Sequence, residues 1–336
     1  MSEKLANLKE KGIKDFIINN AIFFVLLGLL AVIIAISPDF VTVRNFKNIL
    51  QQSSTKIIMA LGVGSIIVAK GTDLSLGRQI GLAAVVSASL LQAPDYAYRM
   101  YPELQTLPIW LPIVGVMLIT GFFSFINGFV IAKFKVDPFI QTLGMMIIVL
   151  GVNSLYFDRP PYGAQPIGGL DKRFTELAQG TVFGMPNLII FATIAVVLMW
   201  VIWNKTIFGK NIFAIGGNSE AALVSGVNVF KNLLLVYTMA GLLYGFAGAL
   251  EGARIGTATN TTGTMYELDA ISACIVGGLS FDGGIGSIAG IVSGVLIFQV
   301  IAYGLSYIGV SPYMQYIIKG LIIIAAVAID SQKHRN

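Results

Sequence analysis

The sequence predicts an all-α integral membrane protein of about ten transmembrane segments with inverted repeats and short broken helices. Of its 336 residues, 56% are hydrophobic and only 12% are charged, and several apolar runs extend over eighteen or more residues. A soluble domain of this size would need about twice that charged fraction to cover its surface. Apolar runs of this length are typical of helices that span a bilayer, because a helix satisfies its own backbone polar groups.

Residue counts exclude several classes of function. The single histidine, His334, and the single cysteine, Cys274, leave no cluster for a metal site, a histidine-based catalytic site or an intrachain disulfide. We therefore expect no enzyme, no catalytic residues and no bound metal. Lys plus Arg number 22 against 17 Asp plus Glu. In a membrane protein this excess indicates cytoplasmic loops rather than nucleic-acid binding.

The chain, 1–336, reads as one transmembrane domain. The lead-in MSEKLANLKEKGIKDF has no cleavage site, so we expect a retained first helix. Clear spans are predicted at 17–37, 109–132, 138–157, 187–203, 232–253, 284–309 and 312–329. Three shorter apolar stretches, 57–69, 79–92 and about 268–279, are predicted as core helices, re-entrant segments or halves of broken helices.

Counting all ten segments places both termini on one side of the membrane. The segments predicted inside then hold 13 Lys or Arg and those predicted outside hold 8, which is the expected sign of the bias. One loop disagrees, since 38–56 carries Arg44, Lys47 and Lys56 on the predicted outside.

Two joints between spans share the pattern V-x-P-aromatic-x-Q: VDPFIQ at 136–141 and VSPYMQ at 310–315. Proline suits the first turn of a helix. The joints fall five spans apart, and an odd offset indicates opposite orientation in the membrane. We therefore predict inverted repeats over spans 2–5 and 7–10, the arrangement found in many transporters. The first half is 17–157 and the second 187–329.

Each repeat contains a glycine-bearing interruption, KGTDLSLGR at 70–78 and GGLSFDGG at 277–284. Backbone freed inside a membrane must find partners in protein or in a wet cavity. Asp73 is either a pathway residue or a cap for a helix beginning near Leu74, and the neighbouring serine favours the cap.

Uncharged polar side chains within or beside the spans offer hydrogen bonds without a fixed charge, which suits a sugar better than an ion. With Asp73, the candidates for a substrate pathway are Ser75, Asn127, Gln141, Asn153 and Gln315. The same residues could instead hold helices together. Lys319 reads as an intramembrane ion pair, an interfacial lysine or part of a proton relay.

Two small-residue stripes predict close helix packing. Gly286, Gly290 and Gly294 recur every four residues, as do Gly241, Gly245 and Ala249. The first stripe overlaps a dinucleotide-binding pattern, but that pattern requires a preceding strand, which the sequence does not predict. Glu251 and Arg254 lie three residues apart on one predicted helix and should form an ion pair.

Four motifs carry a resemblance to a known family. They are GTDLSLG (71–77), NKTIFGKNIFAIGGNSEAALVSGVNV (204–229), VGGLSFDGGIGSIAG (276–290) and VSPYMQYIIKGLIIIAAVAID (310–330). In this order they resemble the permease subunit of bacterial ABC importers for monosaccharides of the ribose, xylose and galactose type. The residues of these motifs most resemble those of the galactose/methyl-galactoside branch.

The resemblance implies a bacterial inner-membrane protein that acts as a homodimer with a cytoplasmic ATPase and a periplasmic sugar-binding protein. ATP and Mg²⁺ would be used by the ATPase, and this chain would bind no cofactor. The segments 93–108 and 158–186 would face the binding protein. The alternative is a secondary sugar transporter driven by an ion gradient.

The resemblance also implies that the cytoplasmic segment 204–231 carries a short coupling helix, 219–224, that docks into the ATPase. Local sequence agrees with this helix. Asn218 or Ser219 can cap it, Glu220 complements the helix dipole, and Gly226 ends it. Ala221 and Ala222 are expected to form a small docking face that is little buried within this chain.

Overall fold

The computed structural model describes residues 21–159 and 163–333. The lead-in at 1–16 and His334 lie outside these residues. Thirteen helices and one two-stranded hairpin occupy the described ranges. They are α1 Ala21–Ile36, α2 Val43–Val68, α3 Leu76–Leu90, α4 Trp110–Phe134, α5 Pro138–Phe157, α6 Lys172–Gln179, β1 Thr181–Val182, β2 Met185–Pro186, α7 Asn187–Lys205, α8 Ile207–Gly217, α9 Ser219–Val224, α10 Val229–Ile255, α11 Tyr266–Val276, α12 Ile288–Tyr307 and α13 Pro312–Lys333.

Each of the ten predicted apolar segments corresponds to a helix: α1 to α5, α7 and α10 to α13. Within the described ranges, five helices are long and apolar enough to cross a membrane, namely α4, α5, α7, α10 and α12. The chain is therefore a helical membrane protein.

Helix α2 corrects the predicted boundary of the second segment. The apolar stretch 57–69 is the end of a helix of 26 residues that begins at Val43. Polar residues in its first half find partners in the protein: Asn45 Nδ2 donates to the Phe40 carbonyl at 2.9 Å. Arg44, Lys47 and Lys56 thus belong to α2 rather than to a loop. The predicted boundary of this segment is wrong.

The chain forms two compact units. Of the described residues, the first contains 21–49 and 296–333. Ile33, Phe40 and Ile49 form its small buried cluster. Here Tyr303 on α12 donates a 3.0 Å hydrogen bond to Asn45 Oδ1 on α2, and the Phe40 ring lies 6.2 Å from the Tyr303 ring.

The second unit, residues 50–295, is organised around α10, which packs against α3 and α4. Its predicted glycine stripe is the reason for the close approach. A Cβ at Gly241 would meet the Thr120 carbonyl and Ser124, and one at Gly245 would meet the backbone of Met117. Packing between backbones is the expected use of small residues in membrane helices. This prediction is confirmed.

The other stripe brings α12 against α11. A Cβ at Gly290 would meet the Gly277 carbonyl, and one at Gly294 would meet the Ala273 carbonyl. Gly286 precedes α12 and packs against Leu279 instead. The stripe therefore serves packing as predicted.

Both predicted joints begin a helix at proline, α5 at Pro138 and α13 at Pro312. The Asp137 side chain caps α5 by accepting hydrogen bonds from the amides of Phe139 and Ile140. The Ser311 hydroxyl accepts from the Met314 amide at 3.3 Å at the start of α13. The two joints share a local fold.

Two segments that read as loops are structured. The charged part of 158–186 forms the amphipathic helix α6, which buries Phe174 and Ala178, and the β1–β2 hairpin. Residues 207–217 form α8, whose N-terminus the Thr206 side chain caps. Ile212 and Ile215 are buried on one face of α8. Their spacing of three residues is a helical signal in the sequence of the 204–231 segment.

Candidate functional site

The candidate site begins where the helix pair α2–α3 is interrupted at residues 69–75. Helix α2 ends with Lys70 in a left-handed conformation, φ 63°. The Lys70 amide donates to the Ile67 carbonyl and the Gly71 amide to the Ile66 carbonyl, both at 2.9 Å. This pair of hydrogen bonds satisfies carbonyl groups in the last turn of the helix.

Side chains from other helices satisfy the rest of the interruption. The Tyr237 hydroxyl on α10 donates to the Thr72 carbonyl at 3.1 Å. The Leu74 amide donates to Thr142 Oγ1 on α5 at the same distance, 3.1 Å. The freed backbone of this buried interruption is thus held by protein groups, as burial away from water requires.

Asp73 is fully buried in this interruption. Its Oδ1 accepts from the Ser75 amide at 2.9 Å and from the Ser75 hydroxyl at 2.5 Å. Helix α3 begins at Leu76, so Asp73 orders the turn before the helix and is not its N-cap. Its Oδ2 and the nearby Tyr244 hydroxyl are both enclosed without a well-formed hydrogen bond among the described residues.

Ser75 connects Asp73 to a buried amide network. The Ser75 hydroxyl accepts from Gln79 Nε2 at 2.8 Å and from Asn127 Nδ2 at 3.2 Å. Asn127 Oδ1 in turn accepts from Gln141 Nε2 at 3.3 Å. Four of the six predicted pathway residues, Asp73, Ser75, Asn127 and Gln141, therefore form one network across α3, α4 and α5.

Two members of the network were not predicted. Gln79 is fully buried, and its Oε1 accepts from the Ser124 hydroxyl at 3.1 Å. The available signal was spacing, because Gln79 lies four residues after Ser75 and so shares its helix face.

The other two predicted pathway residues lie apart from this network. Asn153 is fully buried, and both polar atoms of its amide lack a partner among the described residues. It lies against Gly81 of α3. Gln315 belongs to the first compact unit, where it donates to the Ser306 hydroxyl and the Val310 carbonyl.

A separate buried cluster contains the predicted ion pair. Arg254 binds both carboxylate oxygens of Glu251 at 2.8 and 2.9 Å. The Thr55 and Tyr266 hydroxyls each donate to the same carboxylate at 2.8 Å. The pair is confirmed, and its additional hydrogen bonds join α2, α10 and α11.

The predicted coupling helix is present as α9. Asn218, rather than Ser219, caps it by accepting from the amides of Glu220 and Ala221 at 3.0 and 2.9 Å. At the other end, Gly226 has φ 86°. The Val227 amide donates to the Ala222 carbonyl at 3.0 Å, which completes the glycine-ended cap.

The prediction that Ala221 and Ala222 together form an exposed docking face on α9 is wrong for Ala222. Ala222 is only 5% exposed because α9 packs against α8 and α10, whereas Ala221 is exposed. The apolar side chains that α9 leaves open are Leu223 and Val224, 62% and 90% exposed. A partner would therefore meet these two residues rather than an alanine pair.

Three glycine-bearing segments meet at one point beside α9. The Gly284 amide donates to the Val68 carbonyl at the end of α2 at 2.8 Å. A Cβ at Gly216, at the end of α8, would overlap the Val68 carbonyl and approach the Gly284 amide. Gly283 lies against the Gly216 carbonyl and has φ 80°. We call Val68, Gly216, Gly283 and Gly284 the glycine junction.

The glycine junction joins the predicted coupling segment to both interruptions. Gly216 belongs to the 204–231 segment, Val68 precedes the first interruption, and Gly283 and Gly284 end the second. Contact at the level of backbone atoms leaves little freedom for one segment to move without the others.

On another surface, the segments 93–108 and 158–186 are tied together. The Ala93 amide donates to the Gly169 carbonyl at 2.7 Å, and Arg159 Nη1 donates to the Tyr101 hydroxyl at 2.6 Å. Arg173 binds Asp171 at 2.6 Å and lowers the pKa of that carboxyl. These segments form an ordered, charged surface.

Comparison with known proteins identifies the family. The family described as branched-chain amino acid transport system, permease component, matches residues 45–327. The chain belongs to this permease family. The permease is 56% identical over 334 residues to the galactose/methyl galactoside import permease protein MglC of Escherichia coli K12, covering 98% of this chain and 99% of that protein. It is 55% identical to MglC of Haemophilus influenzae, covering 95% and 96% of the two chains.

A more distant relative of the permease is the ribose import permease protein RbsC of Escherichia coli K12. The two are 35% identical over 327 residues, which cover 95% of this chain and 96% of RbsC. No solved structure shows a match.

Replacing Ser75 tests whether the buried network stabilises the permease. We expect Ser75→Ala to lower the thermal unfolding midpoint in detergent, because it leaves buried Gln79 Nε2 and Asn127 Nδ2 without an acceptor and removes one of the two hydrogen bonds to Asp73 Oδ1. Each such group costs about 1–3 kcal/mol.

Ser87→Ala is the matched control. Ser87 is equally buried on α3, but its hydroxyl only returns to the carbonyls of its own helix. Equal midpoints for the two variants would show that the network does not contribute to stability.

Proposed function

We propose that the permease is the membrane subunit of an ATP-binding-cassette importer that carries a monosaccharide, galactose or methyl galactoside, across the bacterial inner membrane. The observation that carries this proposal is the 56% identity to MglC over nearly the whole of both chains. The family consists of ATP-dependent import permeases, which disfavours the ion-gradient alternative.

ATP hydrolysis is assigned to a separate subunit. The sequence contains no G-x-x-x-x-G-K-[ST] motif to hold nucleotide phosphates. The proposed assembly has two copies of the permease, a cytoplasmic ATPase and a periplasmic sugar-binding protein. Two copies would present two α9 helices, one to each nucleotide site of the ATPase.

Helix α9 is the proposed docking element for the ATPase. It is short, capped at both ends, and exposes Leu223 and Val224 next to polar residues. Apolar anchors surrounded by polar groups are the usual core of a protein–protein interface. Ala222 supports α9 from within, so a bulky residue there would disturb the permease itself.

Motion of α9 would reach the interruptions through the glycine junction. Gly216 lies near the end of α8, three residues before α9. It contacts the backbone of Val68, just before the first interruption, and of Gly284 in the second. We infer that a shift of α9 on ATP binding moves 69–75 and 277–284 together. Rigid elements with direct backbone contact are the physical means by which such coupling travels.

The buried amide network is the proposed polar element of the sugar pathway. Sugar hydroxyls exchange hydrogen bonds readily with amides and serine, and an uncharged lining does not trap ions. Asp73 orders Ser75, and Ser75 orders Asn127 and Gln79. Asn153, with two unpartnered polar atoms, is the other candidate to meet a hydroxyl.

The proposed orientation has both termini in the cytoplasm. Once 43–56 is assigned to α2, the basic residues that opposed the charge bias no longer count as loop residues. The ordered surface formed by 93–108 and 158–186 would then face the periplasm and receive the binding protein.

Cysteine labelling tests this orientation. In intact cells, a membrane-impermeant maleimide should label Lys172→Cys, and it should label Glu220→Cys only after the membrane is opened. Both positions are exposed, and the single native thiol, Cys274, is buried. Labelling of both positions from one side would refute the topology.

Val224→Asp tests docking by α9. Because Val224 is 90% exposed, the variant should reach the membrane at normal abundance. A charge placed in an apolar contact should weaken ATPase co-purification and sugar-stimulated ATP hydrolysis about tenfold or more.

Phe183→Asp is the matched control, since Phe183 is also fully exposed but lies on the β1–β2 hairpin. It should leave ATPase binding unchanged. Normal ATPase affinity in Val224→Asp would place the docking element elsewhere.

A further inference from the structure

A cavity of about 540 Å³ lies beside α9, between the end of α2, the α4–α5 turn and the start of α10. Most of its wall is apolar, including Ile131, Phe230 and Leu233. Its charged residues are Lys70, Lys135 and Glu220, which leave a net charge of +1. A mostly apolar cavity whose wall includes two lysines suits an amphipathic anion.

Both lysines occupy positions that favour glycine. Lys70 ends α2 with φ 63°, and Lys135 ends α4 with φ 55° and ψ 34°. A side chain in this left-handed conformation is strained, and helices usually end there with glycine. Two lysines in the same strained position on the wall of one cavity suggest a role for their side chains.

Helix capping alone does not account for the two lysines. A cation near a helix C-terminus is favourable, but any position in the last turn provides that effect without strain. In the described part of the chain, the ion pairs involve other residues, and neither ammonium group donates to a carbonyl. Both ammonium groups are therefore available to a ligand.

Aromatic side chains beside the cavity suit contact with acyl chains. The Phe129 ring contacts the Phe134 ring at 6.4 Å and the Phe230 ring at 6.0 Å, and all three side chains are exposed. Phenylalanine is apolar throughout, whereas a lysine beside apolar surface extends its charged end towards the lipid headgroups. Phe230 also lines the cavity, so this apolar surface continues into it.

We propose that this cavity binds an anionic phospholipid. The lipid phosphate lies between Lys70 and Lys135, and an acyl chain follows Phe230 and Leu233. Basic pockets between membrane helices are known to select anionic lipids. Glu220 limits the negative charge that the cavity accepts, so a lipid of single negative charge fits best.

The lipid would lie beside the docking helix. Ser219 and Leu223 of α9 line the same cavity. Lipid occupancy would therefore order α9 before the ATPase binds. The inference rests on the proposed function in one point, the placement of the cavity in the cytoplasmic leaflet. Lipid binding itself is measured on the permease alone, so it can fail or succeed independently of the proposed function.

The test uses purified permease in detergent with added phosphatidylglycerol or phosphatidylcholine. Bound lipid is counted by native mass spectrometry, and the thermal midpoint is followed in parallel. We expect wild-type permease to retain and be stabilised by phosphatidylglycerol. Lys70→Gln/Lys135→Gln should weaken this binding about 25-fold, since each lysine near a lipid surface contributes about fivefold.

Lys210→Gln/Lys231→Gln is the matched control. This double variant removes the same amount of charge. Its two lysines are exposed, belong to the segment 204–231 and do not line the cavity. The control should behave as wild type. Equal lipid retention in the two double variants would overturn the proposal, as would equal stabilisation of wild type by inorganic phosphate.

Lys70→Gly/Lys135→Gly separates lipid binding from folding. Glycine relieves the left-handed strain, so the midpoint without lipid should stay at or above the wild-type value while phosphatidylglycerol binding is lost. A lower midpoint without lipid, with lipid binding retained, would assign the lysines a structural role and overturn the proposal.

Discussion

The requirement that interrupted backbone be satisfied within the protein is the constraint on which this permease depends. Between α2 and α3 the chain leaves helical geometry where water is scarce, and each freed amide or carbonyl needs a partner. Lys70 and Gly71 close α2, Tyr237 and Thr142 hold the backbone of the interruption, and Asp73 orders Ser75. The side-chain partners of its backbone come from two other helices, so the interruption fixes α5 and α10 against the α2–α3 pair.

The same constraint links the membrane interior to the coupling segment. The Val68 carbonyl, at the end of α2, is satisfied by the Gly284 amide. Gly216 is in contact with both, and α9 begins three residues later. Glycine is required because a Cβ would occupy the space of the Val68 carbonyl. Helix α9, the proposed coupling helix, thus begins close to a backbone contact that involves both interruptions.

Hydropathy and proline placement predicted the order and type of the membrane helices, because burial in lipid demands long apolar runs. The family resemblance predicted α9, and the capping residues agreed with it. The four-residue glycine spacing predicted close packing of α10 and α12 but not their partners, α4 and α11. Sequence could not place Ala222 inside, since its burial depends on how α9 lies against α8 and α10. It missed the first half of α2 because the partners of polar residues such as Asn45 and Thr55 are distant in sequence. For the same reason it could not separate Asn153 and Gln315 from the network that joins Asn127 to Gln141.

The claim that the glycine junction transmits motion is tested most directly by the number of sugar molecules imported per ATP hydrolysed. The measurement uses proteoliposomes that contain the permease, its ATPase and the binding protein. Gly216→Ala places a methyl group against the Val68 carbonyl, whereas the adjacent Gly217→Ala meets no atom within 4 Å. With both variants present at wild-type abundance, we expect Gly217→Ala to keep the wild-type ratio and Gly216→Ala to lower it while ATPase binding persists. An unchanged ratio in Gly216→Ala would contradict the account.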